Sequence, residues 1–229
     1  MGTKTGSLRR FLHFFFKNPL TVLGVALVVF MVLLALGAPL LAPHPAQGRG
    51  ESNMVNRLLP PQRAYPLGTD ELGRDLLSRI IFGSRVSLRA AFLVIFIVIL
   101  IGTPLGIIAG YYGGKVDEII MRLSDLVLAF PSLLLAVAIV AALGPSLTNA
   151  MIALSIPWWP WYTRITRSQT LSLRERQYVE AAKAAGVPSV KIMLRHILPN
   201  CITPVIVQAT LDMGYIILSL AGLGFLGLG

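Results

Sequence analysis

The chain has 229 residues, 55% of them hydrophobic and only 13% charged. Soluble domains carry about 25% charged residues, so the composition excludes an ordinary globule and points to a multi-pass membrane protein. The formal charge of +10 then reads as Lys- and Arg-rich cytoplasmic loops rather than as a nucleic-acid surface.

The single cysteine, Cys201, excludes an internal disulfide framework and a thiolate metal site. His13, His44 and His196 are too scattered to gather a metal ion, which argues against a zinc enzyme. The expected fold is all-α, a polytopic bundle of five membrane helices with a helix-turn-helix loop. Residues 1–17 carry Lys4, Arg9, Arg10 and Lys17 and no acid, and are expected in the cytoplasm. The apolar run over 18–43 is the first crossing. It is too long for a signal peptide, whose apolar region is about 7–15 residues.

Residues 44–89 are polar and proline-bearing and read as an external loop. Its seven arginines against four acids conflict with an external position, but long loops obey the charge rule weakly. Thr69 or Asp70 suits an N-cap. Leu72, Leu76, Leu77 and Ile80 would give a helix lying along the membrane surface. No phosphate-binding glycine loop with a following Lys-Ser/Thr is present.

The remaining stretch, 90–229, opens with an uncharged crossing over 90–114. Gly102, Gly106, Gly110 and Gly114 recur there every fourth residue, a spacing that puts them on one face for close helix packing. The third crossing, 119–143, has Glu118, Arg122 and Asp125 spaced to pair locally and Pro131 placed to kink it. A fourth span, 146–163, is broken by Pro157 and Pro160 among Trp158, Trp159 and Trp161. The tryptophans fit an interfacial belt and the prolines an irregular wall of a translocation path; both readings stand. A fifth span, 201–221, holds Asp212, which faces either a substrate path or an internal hydrogen-bonding partner. The glycine-rich stretch to Gly229 has no polar tail and reads as a chain cut short of a further helix.

Between the last two spans lies a basic segment, 168–200. In it Tyr178–Ala185 reads as an alanine-rich helix, Gly186 as its left-handed end and Pro188 as the first turn of a second helix. Val190, Met193, Leu194 and Ile197 give that second helix an apolar face, and Pro199 is expected to stop it. Small side chains at Ala181, Ala182, Ala184 and Ala185 make a docking surface for another protein. A DNA-binding helix-turn-helix reads similarly, but apolar spans abut both ends and leave no domain to present a reader helix.

Glu180-Ala-Ala, Gly186 and His196-Ile-Leu-Pro199 resemble the EAA loop of ABC-transporter permeases. Pro66-Leu-Gly-Thr-Asp-Glu-Leu-Gly-Arg-Asp, Gly110-Tyr-Tyr-Gly-Gly, Phe130-Pro-Ser-Leu-Leu-Leu-Ala and Phe225-Leu-Gly-Leu-Gly are similar to the dipeptide, oligopeptide and nickel subfamily, second-permease type. The resemblance implies a bacterial or archaeal inner-membrane protein that pairs with a second homologous permease. It further implies two cytoplasmic ATPases carrying ATP and magnesium, and an external solute-binding protein. Glu180, Ala181, Ala182, Gly186, His196 and Pro199 then fall in the ATPase-docking loop. This chain itself would hold no cofactor and would not be an enzyme. Short peptides are the implied substrate, with nickel or another small cation as the alternative.

Overall fold

The computed structural model describes residues 17–229 and divides into two units, Met1–Leu88 and Arg89–Gly229. The expected cytoplasmic segment 1–17 lies outside the described residues except for Lys17.

In the first unit, helix α1 runs Pro19–Leu41. Asn18 caps it by accepting from the Leu20 N–H at 3.1 Å, and Pro19 suits its first turn. At about 1.5 Å per residue it is long enough to cross a bilayer. Most of its surface is exposed apolar side chain. Only its C-terminal end is buried, where Ala38 and Ala42 pack on Ile81 and Phe82. After the short helix α2, Pro45–Gly48, an irregular segment runs to helix α3, Leu76–Tyr112, which continues into the second unit.

That irregular segment is stitched by side chains rather than by ladders. The Thr69 hydroxyl accepts from the Leu59 N–H at 2.8 Å and donates to the Asn56 carbonyl at 2.5 Å. His44 Nε2 lies 2.9 Å from the Ala64 carbonyl, with its ring against Tyr65. Asp70 accepts from the Leu72 and Arg74 N–H groups and from the guanidinium groups of Arg74 and Arg79. Thr69 and Asp70 are therefore occupied in closing the loop and do not cap a helix. The cap is Asp75, whose Oδ2 accepts from the Ser78 N–H at 2.9 Å. No separate surface helix forms. Leu76, Leu77 and Ile80 are the first turns of α3, and Leu72 precedes it.

Burial raises the Asp70 pKa, but the Arg74 N–H, the Arg74 guanidinium, the Leu72 N–H and Arg79 outweigh it and bring it down to about 2. A depressed folded-state pKa stabilises above the unfolded value of 3.8, and the contribution is lost as pH falls toward about 2. Backbone hydrogen exchange of residues 53–75, corrected for intrinsic rates, should therefore lose protection between pH 4 and pH 2. Asp70→Asn should show the low protection at both. Equal protection of the wild type at the two pH values would refute this role for Asp70.

The second unit is built of helices joined by short turns: the rest of α3, then α4 (Gly114–Leu128), α5 (Ser132–Leu143), α6 (Leu147–Leu173), α7 (Gln177–Ala184), α8 (Ser189–Ile192) and α9 (Leu198–Phe225). Its core joins Ala91, Val94 and Val98 of α3 to Ala136 and Val140 of α5, Ala153 and Leu154 of α6, and Val205 and Ile216 of α9. Among the described residues, α1, α3 and the continuous Ser189–Phe225 stretch are individually long and apolar enough to cross a membrane. The fold is the expected all-α polytopic bundle, with three local departures from expectation.

The third crossing is two helices, α4 and α5, bent by 83°. Pro131 disfavours helical geometry at Phe130 and brings no N–H, so the expected kink is a full break. The pair counts as a fourth span only when taken together. The 27-residue α6 is not apolar enough to count by composition, because it carries Asn149, Arg164, Arg167, Gln169 and several serines and threonines among its prolines and tryptophans. Pro157 and Pro160 do not break α6; the helix runs through both, and both are buried.

Candidate functional site

The expected glycine seam can be read directly in the packing of α3 on α6. A side chain at Gly102 would strike the Trp159 carbonyl and Tyr162 Cβ at 2.6 and 2.8 Å; at Gly110 it would strike Thr170 and the Arg167 carbonyl. At Gly106 it would meet Thr166 Oγ1, the Thr163 carbonyl and the Arg167 N. Thr163 and Thr166 sit opposite, and Thr163 Oγ1 donates to the Gly102 carbonyl at 3.1 Å. Gly114 does not belong to the seam. It starts α4 at φ +52° with open space around it.

The C-terminal end of α6 is tied to its neighbours by arginine. Arg164 bonds Asp125 at 2.5 Å, and Arg167 grips Asp117 with two bonds of 2.5 and 2.6 Å. The paired geometry makes the Arg167 contact the stronger one. Asp125 therefore pairs across to α6, not with Arg122 as its spacing suggested, and Glu118 reaches Arg122 only at 4.0 Å. Arg174 caps α6 and donates to the Gly110 carbonyl at 3.0 Å, at the negative end of α3.

From this anchor the chain enters α7. Glu180 lies in its first turn and Lys183 in its last, the order that favours a helix dipole. Val179 is fully buried and holds α7 against Ile107, Ile192, Met193 and Ile197. Lys183 Nζ stands 5.2 Å above the Tyr111 ring, a cation–π distance. The helix ends at Gly186, φ +74°. There the Gly186 N–H bonds the Lys183 carbonyl and the Val187 N–H bonds the Ala182 carbonyl at 3.1 Å. That is the Schellman pattern, completed by Val187 and Ala182 packing on the same apolar cluster. Ala182 thus faces its own chain. The surface offered outward is Glu180, Ala181, Ala184 and Ala185, and Glu180 is in no ion pair among the described residues.

The second helix does not stop at Pro199. α8 passes through a π-helical turn, Met193–Ile197, into α9, with Pro199 in the first turn of α9. A wider turn absorbs the missing proline N–H and the clash it would cause in an α-helix. Asn200 Nδ2 donates to the His196 carbonyl at 2.7 Å and replaces part of what the turn gives up. The expected apolar face is also divided. Met193 and Ile197 are buried together with Ile192, whereas Val190 and Leu194 are exposed. His196 is half-buried, its ring 6.2 Å from that of Tyr178, so it bridges the two helices of the loop.

This arrangement is a rigid bracket. One end follows α6 through a short turn and the other is continuous with α9, and Arg174 and Lys183 fasten it to the end of α3.

Residues 102–229 match the family described as binding-protein-dependent transport system inner membrane component. The chain belongs to that family. Residues 7–61 match the N-terminal TM domain of oligopeptide transport permease C. The permease is 48% identical over 93% of its length to a dipeptide transport system permease protein of Alkalihalophilus pseudofirmus, covering 69% of that relative. It is 36% identical over 95% of its length to a nickel transport system permease protein of Escherichia coli, covering 78% of it. A solved structure of inward facing conformations of the MetNI methionine ABC transporter shares the fold: TM-score 0.54, 21% identity, 63% of this permease and 72% of that chain.

The remaining site candidates of the permease lie at the α6–α9 contact. Asp212 is 5% exposed, and its Oδ1 accepts from Gln208 Nε2 at 3.0 Å. Its Oδ2 and the fully buried Tyr162 hydroxyl have no hydrogen-bond partner among the described residues. Pro157 and Pro160 are buried and Trp158 and Trp159 pack on the core, while Trp161 is exposed. Within this chain Asp212, Pro157, Trp158, Trp159 and Pro160 are thus groups of the core. Tyr162, Arg174 and the Lys183–Tyr111 contact were not singled out by sequence. The available signal was Thr163, Thr166 and Thr170 on α6, spaced to meet a glycine ladder.

Proposed function

We propose that this permease forms half of the translocation path of an ATP-driven importer of short peptides. It docks cytoplasmic ATPases through the 177–200 bracket. The observation that carries the reading is the outward Glu180–Ala181–Ala184 face on a helix fastened to α3, α6 and α9 at once. Peptide as the substrate is supported by the 48% identical dipeptide relative. Nickel is the second reading, supported by the 36% identical relative. ATP and magnesium belong to the ATPase subunits, and a second homologous permease and an external binding protein complete the assembly.

Glu180 is one of two acids in a strongly basic segment and meets no cation among the described residues, so an arginine or lysine of the ATPase is its natural partner. Breaking a buried interfacial charge pair costs about 2–5 kcal/mol, at least about thirtyfold in affinity. Purified complex carrying Glu180→Ala should release its ATPase subunits on dilution at concentrations where wild type holds them. Unchanged subunit retention would remove Glu180 from the interface. Separately, the solute retained by the cognate binding protein on purification, peptide or nickel, decides the cargo.

A further inference from the structure

A pocket of about 460 Å³ opens in the first unit beside the start of α3. Arg49, Arg74 and Arg79 line it together with Phe82, Gly83 and Val86, and no carboxylate among the described residues is in its lining. The arginines are placed rather than scattered. Asp70 Oδ2 receives Arg74 Nε at 2.8 Å and Arg79 Nη1 at 2.7 Å, so two guanidinium groups share one acid. Arg49 is exposed and is in no ion pair among the described residues. Three arginines against one acid make the local field positive.

Depth sets what such a pocket can hold. α3 carries no charge from Ala90 to Tyr112, so its hydrocarbon stretch begins just past Arg85 and Arg89. Residues 79–87 then sit in the layer of lipid headgroups. The apolar floor is firm, because Phe82 is buried against Ala38 and Ala42 of α1. Val86, one turn further along α3, is half exposed. A ligand filling this space needs an anionic end and an apolar body, in that order toward the membrane interior. A free phosphate would leave the Phe82–Val86 floor uncovered, and a neutral lipid would leave the arginines unanswered.

We infer that this pocket binds one anionic phospholipid, its phosphate on Arg49, Arg74 and Arg79 and its glycerol and uppermost acyl carbons along Phe82 and Val86. The site is separate from the ATPase-docking bracket and does not depend on that role. A basic residue near an anionic membrane surface contributes about fivefold in binding. The lipid is then a bound part of the structure at the start of α3, not a freely exchanging neighbour.

The test uses the full chain in detergent with an equimolar mixture of phosphatidylglycerol and phosphatidylcholine, read by native mass spectrometry. Wild type should retain phosphatidylglycerol in preference, and Arg49→Gln should lower that retention by about fivefold. Gly83→Leu gives a variant without folding cost, since a side chain there meets nothing within 4 Å and leucine is the better helix former. It should fill the pocket and erase the preference while the melting temperature holds. Wild type without preference would overturn the assignment, and so would preference that survives both variants. Displacement of the lipid by glycerol phosphate at equal concentration would show a soluble-anion site and overturn it equally.

Discussion

Gly106→Leu should lower the melting temperature of the purified permease by roughly 6–12 °C, the largest stability loss of any single substitution on the α3–α6 seam. Three atoms oppose a side chain at Gly106: Thr166 Oγ1, the Thr163 carbonyl oxygen and the Arg167 nitrogen. Two of them are backbone and cannot rotate away. Overpacking costs typically about 1–3 kcal/mol, and backbone obstacles place this site at the upper end. In a chain of this size each kcal/mol shifts melting by about 2–4 °C. Because the backbone atoms remain, adding Thr166→Ala to Gly106→Leu should not restore stability. Gly214→Ala is the control, since a side chain there meets nothing within 4 Å; it should melt at or above the wild-type temperature. A Gly106→Leu protein that melts like wild type would mean that α3 and α6 do not pack through this face.

What could be read from the sequence, and what could not, follows the range of the forces involved. The glycine ladder was legible because a period of four is a property of one helix, and α6 answers it with threonines. Gly114 was misassigned because the period continued by chance into a turn, where Gly113 at φ +67° already ends the helix. The loop's first helix and its Gly186 end were legible because a Schellman cap is built from residues adjacent in sequence. Its continuation past Pro199 was not. The proline rule assumes α-type hydrogen bonds, and a π turn bypasses it. Asp125 followed the same logic: its local partner Arg122 competes with Arg164, 39 residues away, and only the fold shows that α6 wins. The surface helix failed for a related reason. Thr69 and Asp70 are good caps, but the tertiary loop uses their oxygens first, and the helix begins where Asp75 is free to cap it.

Gly186→Leu should cut binding-protein-stimulated ATP hydrolysis of the assembled importer by about 5–30-fold, while Gly186→Asn should stay near wild type. The distinction rests on conformation rather than space. Gly186 sits at φ +74°, yet a side chain there would meet nothing within 4 Å. Its cost is therefore the left-handed backbone itself, about 1–2 kcal/mol for an ordinary residue and much less for asparagine. Leucine would relieve that strain by giving up the Val187 N–H to Ala182 carbonyl bond, which sets the angle between α7 and α8. The Glu180 face would then tilt away from the ATPase while α6 and α9 stayed in place, so subunits would be held loosely and hydrolysis would lose its stimulus. Solute affinity of the external binding protein should not change in either variant. Equal loss in leucine and asparagine variants would assign the effect to size at an interface. Normal stimulation in both would show that the bracket's angle does not carry the coupling, and the 177–200 segment would be reduced to a basic loop between two spans.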